Sequence, residues 1–210
     1  MNTKTVPLSE SIGPMLSTLA EGGVVIFSSA NTYGLLANAE DPEATDRIYE
    51  LKDRDRTKPL GYLSSPRRAS EVGIITPEAL RAISLWPCPL SIVVPKTNRV
   101  PEYITRLASI LLVCPDPTSI ELVDQAPFLI ACTSANLAGQ APVNAFEDAR
   151  AIFEGRVPLI VDGGRSRYGA SGTMIDFSKP VPTILRLGPY SVEELKKTVR
   201  DVVVADELLR

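Results

Sequence analysis

The densest chemistry in this sequence lies between residues 52 and 59, where Lys52, Arg54, Arg56 and Lys58 alternate with Asp53, Asp55 and Thr57 ahead of Pro59. The segment follows a stretch of helical pattern that begins after Asp41. Pro59 forces extended backbone on the residue before it, so the cations need not share one helix face and can converge on a point. Converging Lys and Arg side chains suit a polyphosphate, whose charge needs neutralising and whose oxygens accept bidentate Arg bonds. The same residues also read as cations placed favourably at a helix C-terminus, with Asp53 and Asp55 as surface partners.

Two apolar runs break abruptly into small polar groups. Phe128–Cys132 leads into Thr133, Ser134 and Asn136, and Val24–Phe27 into Ser28, Ser29, Asn31, Thr32 and Tyr33. The C-terminal ends of strands in open α/β sheets are where ligands bind. Such residues also make turns and helix caps. Arg186 interrupts a third β-type run and, taken singly, reads as an edge residue. Histidine is absent, which removes Ser-His and Cys-His nucleophile pairs and the commonest zinc ligand. Cys88, Cys114 and Cys132 are scattered among apolar residues and form neither a disulfide framework nor a metal-ligand spacing.

The elements that must hold these groups alternate between strand and helix. Val24–Phe27, Ser91–Pro95, Ile110–Cys114, Phe128–Cys132, Leu159–Asp162, Thr173–Phe177 and Thr183–Leu187 read as strands. Helix starts are marked at Asp41-Pro42-Glu43, Thr76-Pro77-Glu78 and the capping box Ser191-Val192-Glu193-Glu194. Gly22-Gly23 ends a helix from about Ser9, and Gly155 ends one from near Asn144. Asp162–Gly172, rich in Gly and Arg, reads as a mobile loop over a site. The pattern is α/β: one domain over residues 1–190, then a C-terminal amphipathic helix over 191–210.

A hydrophobic share of 44% in 210 residues is ample for one core. No apolar run approaches the roughly 18 to 20 residues that span a bilayer. The N-terminus has no export pattern, so the cytoplasm is the expected compartment. A net charge of −3 argues against a broadly basic nucleic-acid surface.

Read in order, GGVVIFSSANTYGL, KDRDRTKPL, LWPCPLS, LLVCP, TSAN, DGG, SGTMID and ILRLG resemble the motif series of the YrdC-like family, the threonylcarbamoyl-adenylate synthases of tRNA modification. The likeness runs from about Leu8 to Gly188. It implies a twisted mixed β-sheet around a positively charged cavity, flanked by helices. It also implies a nucleotidyltransferase that turns ATP, bicarbonate and L-threonine, with Mg²⁺, into threonylcarbamoyl-AMP and pyrophosphate. By the same likeness Lys52 and Arg54 are the catalytic pair. Lys52, Arg54, Arg56, Ser134, Asn136 and Arg186 would hold ATP, and Ser29, Tyr33, Ser91, Thr133 and Thr173 the amino acid. Family members bind double-stranded RNA, for which the 52–58 stretch and Arg165–Arg167 are the positive surface here.

The amino-acid half departs from the pattern. The family's PTDT is Ser28-Ser29-Ala30-Asn31, the Thr of GPLT is Ser91, the Ser of STVVD falls on Gly172, and the Arg of VRVP on Val113. Three readings follow. The first is a threonine enzyme whose carboxylate is held by another cation, Arg165 or Arg167. The second is a paralogue taking a different amino acid or amine. The third is a non-catalytic nucleotide- or RNA-binding module.

Overall fold

The computed structural model describes residues 1–137 and 139–208. In chain order the strands are β1 (Lys4–Pro7), β2 (Val25–Ser28), β3 (Tyr33–Asn38), β4 (Gly61–Leu63), β5 (Leu90–Pro95), β6 (Ser109–Val113), β7 (Ile130–Ser134), β8 (Leu159–Asp162), β9 (Thr173–Asp176), β10 (Thr183–Arg186) and β11 (Val203–Val204). The helices are α1 (Ile12–Ala20), α2 (Pro42–Lys52), α3 (Ala69–Val72), α4 (Pro77–Ile83), α5 (Pro117–Gln125), α6 (Phe146–Phe153) and α7 (Val192–Thr198).

All the strands join one twisted mixed sheet in the order β1-β8-β2-β3-β7-β4-β6-β5-β9-β10-β11. One face carries Ile26, Leu35, Tyr62, Ile92, Leu112 and Ile175, packed against residues of α2, α4, α6 and α7. The opposite face carries Val25, Phe27, Leu36, Ile130 and Val161, and only part of it is covered, by Met15 and Leu19 of α1 and Leu122 and Val123 of α5. Both faces bury apolar side chains, so the central strands read as continuous apolar runs rather than alternating ones. Where the cover of α1 and α5 stops, the second face is left to line a cavity.

The expected helix starts form caps. Asp41 accepts from the N–H groups of Glu43 and Ala44, Thr76 from Ala79, and Ser191 from Glu194. The expected 191–210 helix is corrected. It ends at Thr198, and Val203–Val204 runs parallel to β10. The run Val202-Val203-Val204 is β-branched and suits a pleated edge better than a helix. Leu209 and Arg210 lie outside the described residues. Among those described, no helix is long and apolar enough to cross a membrane.

Candidate functional site

α2 ends at Lys52 because Asp53 adopts a left-handed conformation, φ 49°, which reverses the chain. The turn separates the four cations. Lys52 stays under the sheet at 1% exposure, and its ammonium donates to the carbonyls of Ser134 and Asn136 and, at 3.1 Å, to Asn136 Oδ1. An ammonium has three donors, and these contacts engage all of them. Ser134 Oγ bonds Asn136 Oδ1, and Asn136 Nδ2 donates to the carbonyls of Leu137 and Gln140. Lys52 therefore fixes the turn that follows β7.

Arg54 crosses to the same strand end. It donates to Thr133 Oγ1 at 3.3 Å and the Pro59 carbonyl at 2.9 Å, while its buried Nε has no partner. Burial, then the neighbouring Arg54 charge, lowers the Lys52 pKa to about 8. Arg56 turns outward, pairs with Asp46 and lies over the Tyr49 ring, with its side chain 58% exposed. Lys58 is exposed. Arg56 is thus not brought to the site, since the chain reversal at Asp53 sends it back along α2.

The cavity beside Arg54 measures about 410 Å³, within the range of small-molecule sites. Its floor follows the sheet register. Gly34 pairs with Ser134, and Gly61 with Cys132. A further row runs Leu63, Val113, Ser91, Met174 and Arg186 through successive strand pairs. Ser29 and Asn31 from the β2–β3 turn, with Ser171 and Gly172, complete one wall. Among the described residues, Arg54 and Arg186 are the cations of the lining, and no carboxylate lines it. Arg186 is oriented by its Nε bond to the Gly172 carbonyl at 2.9 Å.

Ser29, Ser91, Thr133, Ser134, Arg54 and Arg186 therefore meet around one cavity, with Lys52 and Asn136 behind Ser134. Tyr33 and Thr173 do not line it. The Tyr33 hydroxyl donates to the Gly164 carbonyl at 2.9 Å, and Thr173 Oγ1 to that of Tyr190 at 2.6 Å. Both hold neighbouring loops. Arg165 bonds Asn144 Oδ1 and Arg167 lies over Tyr168, so neither reaches the lining. The 162–172 segment is tied down by Ser166 N–H to the Asn144 carbonyl and Tyr168 N–H to that of Ala30. A Mg²⁺ finds no carboxylate in this wall, and among the described residues no cluster of three acids, Cys or His could hold a metal. The donor set does not fit a protein-held Mg²⁺.

Asn31, which the sequence marks only as a strand-end polar group and a departure from the family pattern, lines the cavity with its Oδ1 buried and without a partner. Sequence reasoning missed Asp116, which accepts the Ala30 N–H at 2.8 Å. Asp116-Pro117 carries the same helix-start signal as Asp41-Pro42.

A twisted mixed sheet with an arginine-bearing cavity on one face and a Lys-anchored Ser-Ala-Asn turn at its rim defines a fold class with known members. The sequence model of the Sua5, YciO and YrdC proteins, described as telomere recombination, matches residues 17–188, and the chain belongs to this family. The threonylcarbamoyl-AMP synthase of Pyrococcus abyssi is 32% identical over 189 residues, covering 88% of this chain and 56% of the relative. That of Bacillus subtilis is 28% identical, covering 92% of this chain and 58% of the relative. The chain thus spans a little over half the length of these relatives. The crystal structure of P. abyssi Sua5 complexed with L-threonine superposes with a TM-score of 0.86 at 29% identity, over 97% of this chain and 61% of that one. Escherichia coli YciO shares the fold, TM-score 0.80 at 19% identity, over 92% of this chain and 99% of that one.

Proposed function

We propose that the chain is an L-threonylcarbamoyladenylate synthase-type nucleotidyltransferase acting in the t6A modification of tRNA, converting ATP, bicarbonate and L-threonine into threonylcarbamoyl-AMP and pyrophosphate. The observation that carries this reading is the Lys52-anchored Ser134–Asn136 turn standing beside Arg54 at the rim of the cavity. Among the described residues two arginines line the cavity and no acid opposes them, which suits a triphosphate delivered as its magnesium complex. The relatives named threonylcarbamoyl-AMP synthase and the L-threonine complex of P. abyssi Sua5 support the acceptor assignment.

In this reading the threonine amine first bonds to the bicarbonate carbon as a C–O bond there breaks, the hydroxyl leaving as water with a proton from the amine, which gives a carbamate. A carbamate oxygen then forms a bond to the α-phosphorus as the bond from that phosphorus to the pyrophosphate oxygen breaks. The carbamate is already anionic, so attack needs orientation rather than a protein base. Arg54 and Arg186 would stabilise charge on the departing pyrophosphate. Lys52 acts here by holding the Ser134–Asn136 turn and by its charge. The test is pyrophosphate release from purified protein with MgATP, bicarbonate and L-threonine. Release that does not depend on threonine removes the assignment.

A second reading keeps the nucleotide chemistry and changes the acceptor. Val113 favours it, because the family's Arg is replaced there by an aliphatic side chain on the cavity floor. The same assay across the standard amino acids and small amines decides between the two. Binding of RNA finds less support, since the four cations of 52–58 part company and only Arg56 and Lys58 are exposed.

A further inference from the structure

We propose that Asp116 is a positioning residue for the acceptor wall of the cavity, holding Ser29 and Asn31 in place through the backbone of Ala30. The proposal rests on the reading above that an amino-acid acceptor binds beside the nucleotide.

One carboxylate joins two elements far apart in sequence. Oδ1 of Asp116 caps α5, accepting from Ser119 N–H at 2.8 Å and Ser119 Oγ at 2.9 Å. Oδ2 accepts from Ala30 N–H at 2.8 Å. On the other side of the same residue, the Ala30 carbonyl accepts from Tyr168 N–H at 2.9 Å. The peptide groups before and after Ala30 are therefore both fixed from outside the turn. Peptide groups are planar, so fixing the two also sets where the flanking residues stand. Those residues are Ser29 and Asn31, and both line the cavity. Within the turn, Ser29 Oγ donates to the Thr32 carbonyl at 2.6 Å, which closes the loop without anchoring it. Ala30 has only a methyl group, so external anchorage of the turn at this residue comes through its backbone.

The two functions of Asp116 can be separated. In Asp116→Asn the side-chain oxygen still caps α5, since Asn and Asp are comparable N-caps. Its amide nitrogen then faces the Ala30 N–H, donor to donor, and the tether is lost. The expected result is a rise of about five- to tenfold in the KM for L-threonine, the worth of one hydrogen bond, with kcat and the KM for ATP within about twofold. Ser119→Ala, which removes one partner of the cap and leaves the tether, keeps the threonine KM of the parent. Should Asp116→Asn not fold, Asp116→Ser preserves a cap but is too short to reach Ala30, and the same split is expected. An unchanged threonine KM, or equal rises for threonine and ATP, overturns the proposal. Calorimetric binding of L-threonine is measured alongside. If the parent binds threonine without turnover, the enzymatic reading fails while the affinity ratio of Asp116→Asn to parent still decides the positioning role. If the parent binds no threonine, both fall.

Discussion

Val113 stands directly opposite Ser91 in the antiparallel pairing of β5 with β6, and Leu63 pairs with Val113 from the other side. The cavity floor at this point is therefore a hydroxyl between aliphatic groups. In register, Arg186 lies three strands further on, roughly 14 Å along the sheet at about 4.8 Å per strand. A carboxylate resting beside Val113 has no charge-assisted partner among its near neighbours in the row, Leu63, Ser91 and Met174.

Two results follow for the acceptor. Replacing the carboxylate of L-threonine by a primary amide costs the parent protein less than about tenfold in affinity, because no cation is lost. Val113→Arg restores one, and a charge-assisted bond of about 1.5–3 kcal/mol makes the acid bind at least tenfold tighter than the amide. Calorimetric titration with both ligands checks this. A parent protein that already prefers the acid a hundredfold contradicts the account of the floor.

Lys52 gives a pH signature. Its pKa of about 8 lies below the ordinary 10.5, so between these values the unfolded chain binds more protons than the folded one. The resulting stabilisation is fully present above about 10.5 and is lost as pH falls through about 8. Nucleotide affinity runs the other way, since raising the pH through about 8 discharges the ammonium behind Ser134. ATP binding by the parent weakens above pH 8, while in Lys52→Arg, whose guanidinium keeps its proton, the profile is flatter. Lys52→Met leaves buried carbonyls unpaired and costs about 1–3 kcal/mol in denaturant unfolding.

Arg54 and Arg56 separate two residues of one motif. Arg54→Ala removes a cation from the cavity wall, and ATP affinity falls at least tenfold. Arg56→Ala removes a partner of Asp46 on the exposed side of α2 and leaves ATP affinity within about twofold. Equilibrium nucleotide binding compares them, and a large loss in Arg56→Ala would return that residue to the site.

Much of this frame was legible in the residues. Caps at Asp41, Thr76 and Ser191 announce their helices because their chemistry is local. The strands β5, β6, β8, β9 and β10 announce themselves as apolar runs bounded by turns. β3 was not legible, because Tyr33–Asn38 contains a Gly and is mostly buried, giving no alternation. β4 has three residues, too few for a period. At the site, the hydroxyls at strand ends could be read, but the reversal at Asp53 could not. A left-handed Asp is a local conformation with no spacing signal, yet it decides that Arg54 enters the cavity and Arg56 leaves it. Tyr33 and Thr173 carry polar groups that neighbouring carbonyls claim, a tertiary outcome that their motifs do not encode.

Gly172 and Asn31 form a coupled pair. A Cβ at position 172 would lie 2.8 Å from the Pro89 carbonyl oxygen and 3.0 Å from Asn31 Nδ2. The Pro89 oxygen is itself held, accepting from Thr173 N–H at 2.8 Å, so it cannot give way freely. Gly172→Ser, which installs the residue typical of the family, should therefore destabilise by about 1–3 kcal/mol as the backbone shifts and push Asn31 out of place. The shorter, branched Thr at position 31 relieves part of this contact. In denaturant unfolding, Asn31→Thr together with Gly172→Ser should cost at least about 0.5 kcal/mol less than the two single changes summed. Additive costs would show that the Pro89 carbonyl alone makes position 172 a glycine, and that Asn31 and Gly172 are not coupled.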